Sequence, residues 1–268
     1  YRTDGTEPAE GYNLYISLHG GGGTTPDVND SQWRNQLRLY PMTKGIYVCP
    51  RSIVDEWDMH CKPQCDTLYE HLVEMFSAYM HIHPDRVFLM GYSAGGDGVY
   101  RLAPRMADRW AAASMMAGHP GDVSLVNLRN TPCTIWCGAL DDAYDRNRHT
   151  ATRGRELDSL RQADPEGYPH EWHVVEGKGH WMDRADTAAV AWMERHTRNP
   201  YPTRIVWRQE EKLRAQFHYL SVPPTEMARG KEVRMEREGN TFRITRCDYR
   251  HLTLWLNDDM VDLDRPVT

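Results

Sequence analysis

The sequence lacks the features that mark several large classes of protein. No apolar run approaches the roughly 20 residues of a membrane-spanning helix, so we predict no membrane span. Acidic residues outnumber basic ones, 38 to 32, which gives no electrostatic basis for binding nucleic acid or an anionic membrane surface. Six cysteines in 268 residues do not describe a disulfide scaffold. Internal repeats and low-complexity segments are also missing.

The composition is that of a folded, mildly acidic protein. Hydrophobic residues make up 40% and charged residues 26% of the chain, which argues against disorder and suffices for a sizeable core. The few cysteines favour a reducing compartment such as the cytoplasm. Neither an initiator Met nor an apolar leader opens the sequence. We therefore expect a trimmed N-terminus whose targeting signal is not visible.

Some of the cysteines raise the question of a metal site. His60, Cys61 and Cys65 form an H-C-x-x-x-C pattern, but no second pair with zinc-like spacing follows. We therefore predict no metal and no cofactor. Cys133 and Cys137 lie at even spacing in a strand-like run, so they are predicted to share one face as core thiols.

Strand-like and helix-like segments alternate over the first 200 residues. Short apolar runs predict strands at 13–18, 46–49, 86–90, 111–116, 134–137 and 171–175. Mixed polarity and helical spacing of apolar residues predict helices at 30–39, 67–80, 98–107, 153–162 and 186–196. This alternation predicts an α/β architecture, a mostly parallel sheet with helices on both faces.

The pattern changes at Asn199-Pro200-Tyr201-Pro202. Alternating strand-like runs then occupy 204–208, 214–222, 232–238, 241–246 and 252–256 without intervening helices. Gly239-Asn240 is typical of a two-residue hairpin turn. We predict an α/β domain over 1–200 and a small antiparallel β-rich domain over 201–268 that packs on it. The abrupt end at Pro266-Val267-Thr268 leads us to expect further strands.

A G-x-S-x-G motif follows the strand predicted at 86–90. Gly91-Tyr92-Ser93-Ala94-Gly95 stands between this strand and a predicted helix, which is the setting of a nucleophile elbow. Small neighbours allow the sharp turn, and the helix N-terminus places positive potential where an oxyanion would form. Ser93 is therefore the predicted nucleophile.

A serine nucleophile needs a base, and the base needs an orienting acid. With an elbow of this kind the chain order is Ser, acid, His. Asp141 and Asp142 follow the strand predicted at 134–137, and His180 follows the strand that ends at Val175. We predict His180 as the base and Asp141 as the acid, because Asp141 stands three residues after Gly138. Asp142 and Asp145 stay open as alternatives.

Residues 19–23 (HGGGG) follow the strand at 13–18. Amides of glycine reach a carbonyl oxygen without side-chain obstruction, so Gly21 and then Gly22 are predicted oxyanion-hole donors, together with Ala94. A tight turn is the structural alternative. Asn29, Asp30 and Trp33 follow this loop and are candidates for a pocket rim.

Three further residues are weaker candidates for the site. His119 follows the strand after the elbow helix and could contact substrate or cap a turn. Trp181 could line the pocket or belong to the core. Asp97 is interpreted as a buried or capping carboxylate. No long insertion separates Ser93, Asp141 and His180, so we predict an accessible cleft suited to soluble or polymer-attached esters.

The motifs LHGGGG, GYSAGG, GALD and GKGHW resemble α/β-hydrolases of the polyhydroxybutyrate-depolymerase and feruloyl-esterase-like branch. The chain is also similar to some prolyl-oligopeptidase-type hydrolases and to bacterial proteins in which a small β-rich tail follows the hydrolase domain. The resemblance is strong over about 14–200 and weak over the tail. It implies an α/β-hydrolase fold, with Ser93, Asp141 and His180 as the triad and Gly21 with Ala94 as the oxyanion hole.

The resemblance leaves the substrate open, since this fold hydrolyses esters, thioesters and peptides. The first hypothesis is a carboxylic-ester hydrolase that forms an acyl-enzyme. A serine peptidase is the alternative among enzymes. A degenerate hydrolase that serves as a binding module is the alternative outside them.

Overall fold

A large sheet is formed by seven strands, and its inner strands carry the apolar runs seen in the sequence. The computed structural model describes residues 1–42 and 44–268. Its strands and helices, in chain order, are β1 (Arg2–Asp4), β2 (Tyr12–Leu18), α1 (Pro26–Gln36), β3 (Gly45–Val48), α2 (Pro63–Tyr79), β4 (Ile82–Tyr92), α3 (Ala94–Arg105), β5 (Ala112–Met116), β6 (Cys133–Gly138), α4 (Arg146–Ala163), β7 (His170–Val175), α5 (Ala188–Met193), β8 (Arg204–Arg208), β9 (Gln216–Phe217), β10 (Leu220–Ser221), β11 (Glu232–Glu238), β12 (Thr241–Cys247) and β13 (Thr253–Leu254).

The large sheet has the order β1-β3-β2-β4-β5-β6-β7. Every pair from β3 to β7 is parallel, and β1 alone among the described strands of this sheet pairs antiparallel, with β3. The predicted mostly parallel α/β sheet is confirmed. The strand β1 was not predicted, because three residues with alternating exposure carry no apolar run.

Side chains that alternate along each strand build an apolar layer on each face of the sheet. Leu14, Ile16 and Leu18 of β2 face the layer that contains α2, α3 and α4, while Tyr15 faces the layer of α1 and α5. Helices on both faces follow from this two-sided burial. Cys133 and Cys137 are both buried, as predicted.

Several helix boundaries differ from the sequence prediction. The helix α1 begins at Pro26, four residues before the predicted start, because proline fits the first turn of a helix. The first two turns of α4 are polar (RNRHTAT) and show no apolar spacing, so the predicted 153–162 was too short. The helix α5 is shorter than the predicted 186–196, because residues 185–187 form a 3-10 turn before it and the helix ends at Met193.

Residues 201–268 form two small antiparallel sheets, β12-β11-β8 and β13-β10-β9. The Gly239-Asn240 turn joins β11 to β12, with Glu238 opposite Thr241. Ile205, Trp207 and Met235 lie in the same apolar layer as α2 and α3. Within the described part of the chain, no helix has the length and apolarity needed to cross a membrane.

Candidate active site

Ser93 occupies a sharp turn between β4 and α3. Its φ of 58° lies in the left-handed region, a strained conformation for a residue with a side chain. The turn closes because its neighbours are small: a Cβ on Gly95 would lie 2.0 Å from the carbonyl oxygen of Leu18, and a Cβ on Gly91 would lie 2.3 Å from that of Gly95. The serine hydroxyl is thereby held at the end of β4, where α3 begins.

His180 and Asp141 lie beside Ser93, each in a segment that follows a neighbouring strand. His180 Nε2 is 3.0 Å from Ser93 Oγ, and His180 Nδ1 is 2.7 Å from Asp141 Oδ2. An ionised carboxylate only accepts hydrogen bonds, so Nδ1 carries the proton and Nε2 is free to accept one from the Ser93 hydroxyl. This is the geometry required of a base that takes the proton of a serine.

Asp141 is almost completely buried, at 2% exposure. Burial alone would raise the pKa of its carboxyl group, but the hydrogen bond and charge of His180 and the nearby Arg146 guanidinium lower it overall. Arg146 Nη1 lies 3.5 Å from the second oxygen of Asp141. The alternatives Asp142 and Asp145 are exposed, and Asp145 pairs with Arg148 at 3.1 Å. The carboxylate that the structure places on His180 is that of Asp141.

The loop that carries His180 is attached to the elbow. The hydroxyl of Tyr92 donates to the backbone carbonyl of His180, and the rings of Tyr92 and His180 have centroids 5.6 Å apart. The amide of Leu140 donates to the carbonyl of Lys178 at 2.8 Å. These contacts tie the loop to the segments that hold Ser93 and Asp141. The part played by Tyr92 was not predicted from the sequence.

The glycine loop at 20–23 runs next to the serine. A Cβ on Gly20 would lie 3.2 Å from Ser93 Cβ, and Gly21, Gly22 and Gly23 all have positive φ. Ala94 is the first residue of α3, so its amide has no partner within the helix. The predicted donor Gly22 is a different case, because its amide already donates to Asn29 Oδ1 at 2.7 Å. This hydrogen bond argues against Gly22 as an oxyanion donor.

Two buried histidines form hydrogen bonds with the backbone at the start of the glycine loop. His19 Nδ1 lies 2.7 Å from the carbonyl of Gly20, and its Nε2 accepts from the amide of Ser52 at 3.0 Å. His60 Nε2 lies 2.9 Å from the carbonyl of His19, and its Nδ1 lies 3.0 Å from Tyr69 Oη. Burial lowers the pKa of both imidazoles, that of His60 to about 3. Both rings are therefore neutral near pH 7.

These contacts also bear on the H-C-x-x-x-C pattern. Both ring nitrogens of His60 have partners within the protein, and the thiol of Cys65 donates to the carbonyl of Met59 at 3.5 Å. Over residues 1–42 and 44–268, no three His, Cys, Asp or Glu side chains are grouped so that they could hold a metal ion.

A cleft of about 700 Å³ opens above Ser93. Trp181 lines it and is half exposed. Trp57 also lines the cleft, packs against the glycine loop and meets Tyr144 edge to face with ring centroids 5.9 Å apart. Trp57 and Arg146 line the cleft but were not predicted, since one lies in an irregular loop and the other on a polar helix.

Two predicted substrate contacts are not in the cleft. The indole of Trp33 donates to the carbonyl of Cys49 at 2.8 Å and packs in the apolar layer of α1. The amide of His119 donates to Asp97 Oδ1 at 2.6 Å, and its ring packs against His149. The Trp33 indole and the His119 ring therefore have partners inside the protein and do not line the cleft. Asp97 is half-buried and accepts from the backbone amide of His119, which fits the capping role that the sequence suggested.

Comparison with solved structures shows which fold the chain has. No family profile matches the chain, and a search of curated proteins gives no significant match. Among solved structures, a thermostable esterase is 17% identical with a TM-score of 0.56, the match covering 73% of this chain and 57% of that one. Esterase PE8 is 18% identical with a TM-score of 0.48, covering 73% and 99%. A phospholipase/carboxylesterase from Dyadobacter fermentans is 17% identical with a TM-score of 0.49, covering 72% and 95%.

The chain has the α/β-hydrolase fold. In this fold, loops after the carboxyl ends of neighbouring strands meet at one edge of the sheet. Ser93 follows β4, Asp141 follows β6 and His180 follows β7. The sheet therefore brings His180 next to Asp141, which is 39 residues away along the chain, and next to Ser93, which is 87 residues away.

Proposed function

We propose that the protein is a serine hydrolase that cleaves carboxylic esters through an acyl-enzyme. The observation that carries the proposal is the chain of two hydrogen bonds from Ser93 through His180 to the buried Asp141. A serine hydroxyl is a weak nucleophile until an adjacent base accepts its proton. The strained elbow at Ser93 and the open cleft that Ser93 lines support access of a substrate to that hydroxyl.

Each residue has a defined part in the proposed reaction. Ser93 Oγ attacks the ester carbonyl while His180 Nε2 takes the hydroxyl proton, and Asp141 stabilises the imidazolium that forms. The backbone amides of Ala94 and Gly21 donate hydrogen bonds to the negatively charged oxygen that forms, and the N-terminus of α3 stabilises the same charge. His180 then protonates the departing alcohol. Water attacks the acyl group by the reverse sequence and releases the acid.

The cleft supports a small or polymer-attached ester as the substrate. It is open to solvent and is lined by two exposed indoles, those of Trp57 and Trp181. The solved structure with the TM-score of 0.56 carries the name of an esterase. We also propose the division into a catalytic domain over 1–200, which holds all three triad residues, and a β-rich domain over 201–268.

A fluorophosphonate probe tests the proposal, because it reacts only with an activated serine. We expect one adduct by intact mass on the wild-type protein and none on Ser93→Ala, with ester hydrolysis lost in the same variant. Absence of an adduct on folded wild-type protein would favour a binding module. Faster cleavage of amides than of matched esters would favour a peptidase.

A matched pair of variants tests the assignment of the acid. Asp141→Asn removes the acceptor that fixes the His180 tautomer, and we expect kcat to fall by about 10⁴-fold. Asp142→Asn alters the adjacent exposed carboxylate and should leave ester hydrolysis at the wild-type rate. The reverse order of the two effects would transfer the role to Asp142.

A further inference from the structure

Asn29 of α1 is completely buried, although an amide side chain is costly to bury without partners. Its Oδ1 accepts the amide proton of Gly22 at 2.7 Å. A Cβ placed on Gly21 would lie 2.1 Å from the same oxygen. Asn29 therefore packs directly beneath two glycines of the loop that runs beside Ser93.

The orientation of the Asn29 amide is fixed from its other end. Asn29 Nδ2 donates to Asp55 Oδ1 at 2.8 Å, and Arg51 Nη2 donates to the same oxygen at 2.5 Å. The Arg51 guanidinium and the Asn29 amide hold the pKa of Asp55 below its usual range. An ionised carboxylate only accepts, so Nδ2 must face Asp55 and Oδ1 must face Gly22.

Arg51 is held in turn by α1. Its Nε donates to Asp30 Oδ1 at 2.8 Å, and its Nη1 donates to the carbonyl of Ser52 at 2.8 Å. Asp30 and Asn29 are neighbours on the same helix. The helix, the loop at 51–55 and the glycine loop are thus joined by one continuous set of hydrogen bonds that ends at the Gly22 amide.

We propose that Asn29 is a positioning residue for the oxyanion hole, with Asp55 as the group that orients it. Asn29 Oδ1 accepts from the backbone amide of Gly22, whereas the backbone amide of Gly21 has no acceptor among the described residues. Gly21 lines the cleft together with Ser93. Fixing the Gly22 peptide holds the Gly21 amide as the donor to the substrate oxygen. This inference rests on the proposed function.

An exchange of the two side chains tests the proposal. Asn29→Leu removes the acceptor for Gly22, and we expect kcat for an aryl ester to fall by about 100-fold with little change in KM, as when one oxyanion donor is lost. Asn29→Asp keeps an acceptor for Gly22 but sets two carboxylates against each other, so kcat should also fall. The double variant Asn29→Asp with Asp55→Asn restores a donor facing an acceptor, and we expect it to recover most of the lost kcat.

Controls separate positioning from folding and from failure of the proposed function. Asn127 is a buried asparagine 98 residues after Asn29 in the sequence, and its side-chain Nδ2 donates to the backbone carbonyls of Pro104 and Arg208. Asn127→Leu should lower stability yet keep wild-type kcat. Urea unfolding of each variant measures the folded fraction.

Three results would overturn the proposal while wild-type protein stays active above Ser93→Ala. They are wild-type kcat in folded Asn29→Leu, an equal loss of kcat in folded Asn127→Leu, and no recovery of kcat in the double variant. Wild-type activity no higher than that of Ser93→Ala would instead refute the proposed function itself.

Discussion

At the scale of single residues, Asp97 shows how the surroundings of the site affect stability. It lies four residues beyond Ser93 in α3, and its carboxylate accepts from the amide of His119 at 2.6 Å. Burial raises the pKa of Asp97 from 3.8 to about 6, although the His119 amide and the charges of Arg146 and Arg101 act in the opposite direction. The folded protein therefore holds this proton to higher pH than the unfolded chain. The protonated Asp97 therefore stabilises the folded state fully below pH 3.8, and this stabilisation is lost as the pH rises through about 6.

We predict that Asp97→Asn stabilises the protein at pH 8 and much less at pH 4. Asparagine keeps an oxygen that accepts from the His119 amide but carries no charge. The gain in the free energy of unfolding should approach about 3 kcal/mol above pH 7, from the shift in pKa. Urea unfolding at both pH values measures it. Asp258→Asn, at an exposed position, is the control, and an equal gain at pH 4 and pH 8 would contradict the assignment.

At the scale of elements, a buried ion pair joins α2 to α3. Asp66 Oδ1 lies 2.6 Å from Arg105 Nη2, and both side chains are at most 3% exposed. Arg214, which precedes β9, reaches the second oxygen of Asp66 at 3.9 Å and Glu70 at 2.6 Å. Burial raises the pKa of Asp66 against the lowering effect of these guanidinium groups. Removing the carboxylate would leave Arg105 buried without its counter-ion.

We predict that Asp66→Ala lowers the free energy of unfolding by about 3–5 kcal/mol, the cost of an uncompensated buried charge. Chemical denaturation measures the loss. Asp122→Ala is the matched control, because it removes an exposed carboxylate that pairs with Arg229 at 2.6 Å, and exposed pairs contribute about 0–1 kcal/mol. A loss in Asp66→Ala no greater than in the control would mean that water screens the buried pair.

The sequence predicted elements well where apolar spacing was regular. The strands β8 and β11 have the predicted bounds, and the hairpin lies at Gly239-Asn240. The prediction of one strand over 214–222 was wrong. This segment forms the two-residue strands β9 and β10 on either side of His218, which has a φ of 51°. A single left-handed residue changes the direction of the chain without altering the apolar pattern.

The candidate site was predictable to the extent that it depends on local patterns. Ser93, Asp141 and His180 each follow a predicted strand at a glycine-containing turn, so the strand pattern alone brings them to one edge. The pairing of Asn29 with Gly22 and the position of Trp57 arise from contacts between separate loops. Neither leaves a periodic signal in the sequence. The same reason explains why Trp33 and His119 were assigned to the cleft.

At the scale of the whole molecule, residues 201–268 share the apolar layer on one face of the large sheet. Trp207, Val233 and Met235 are buried together with Leu102 and Trp110. Trp207 also stacks on Phe217 with ring centroids 5.8 Å apart. Asn127 joins the two parts by donating to the carbonyl of Arg208 at 2.8 Å. The proposed β-rich domain therefore covers apolar surface of the proposed catalytic domain.

We predict that a chain ending at residue 200 is insoluble or unfolded, although it keeps Ser93, Asp141 and His180. The segment 126–130, which packs against β8, would present Leu128 to water, and large exposed apolar patches drive association. Removal of residues 262–268, all of which are exposed, should leave both solubility and labelling of Ser93 intact. Soluble yield, circular dichroism and fluorophosphonate labelling of the two truncations measure this difference. A soluble and labelled 1–200 fragment would show that the catalytic part folds alone, and the β-rich part would then have to act on substrate or partner instead of on the core.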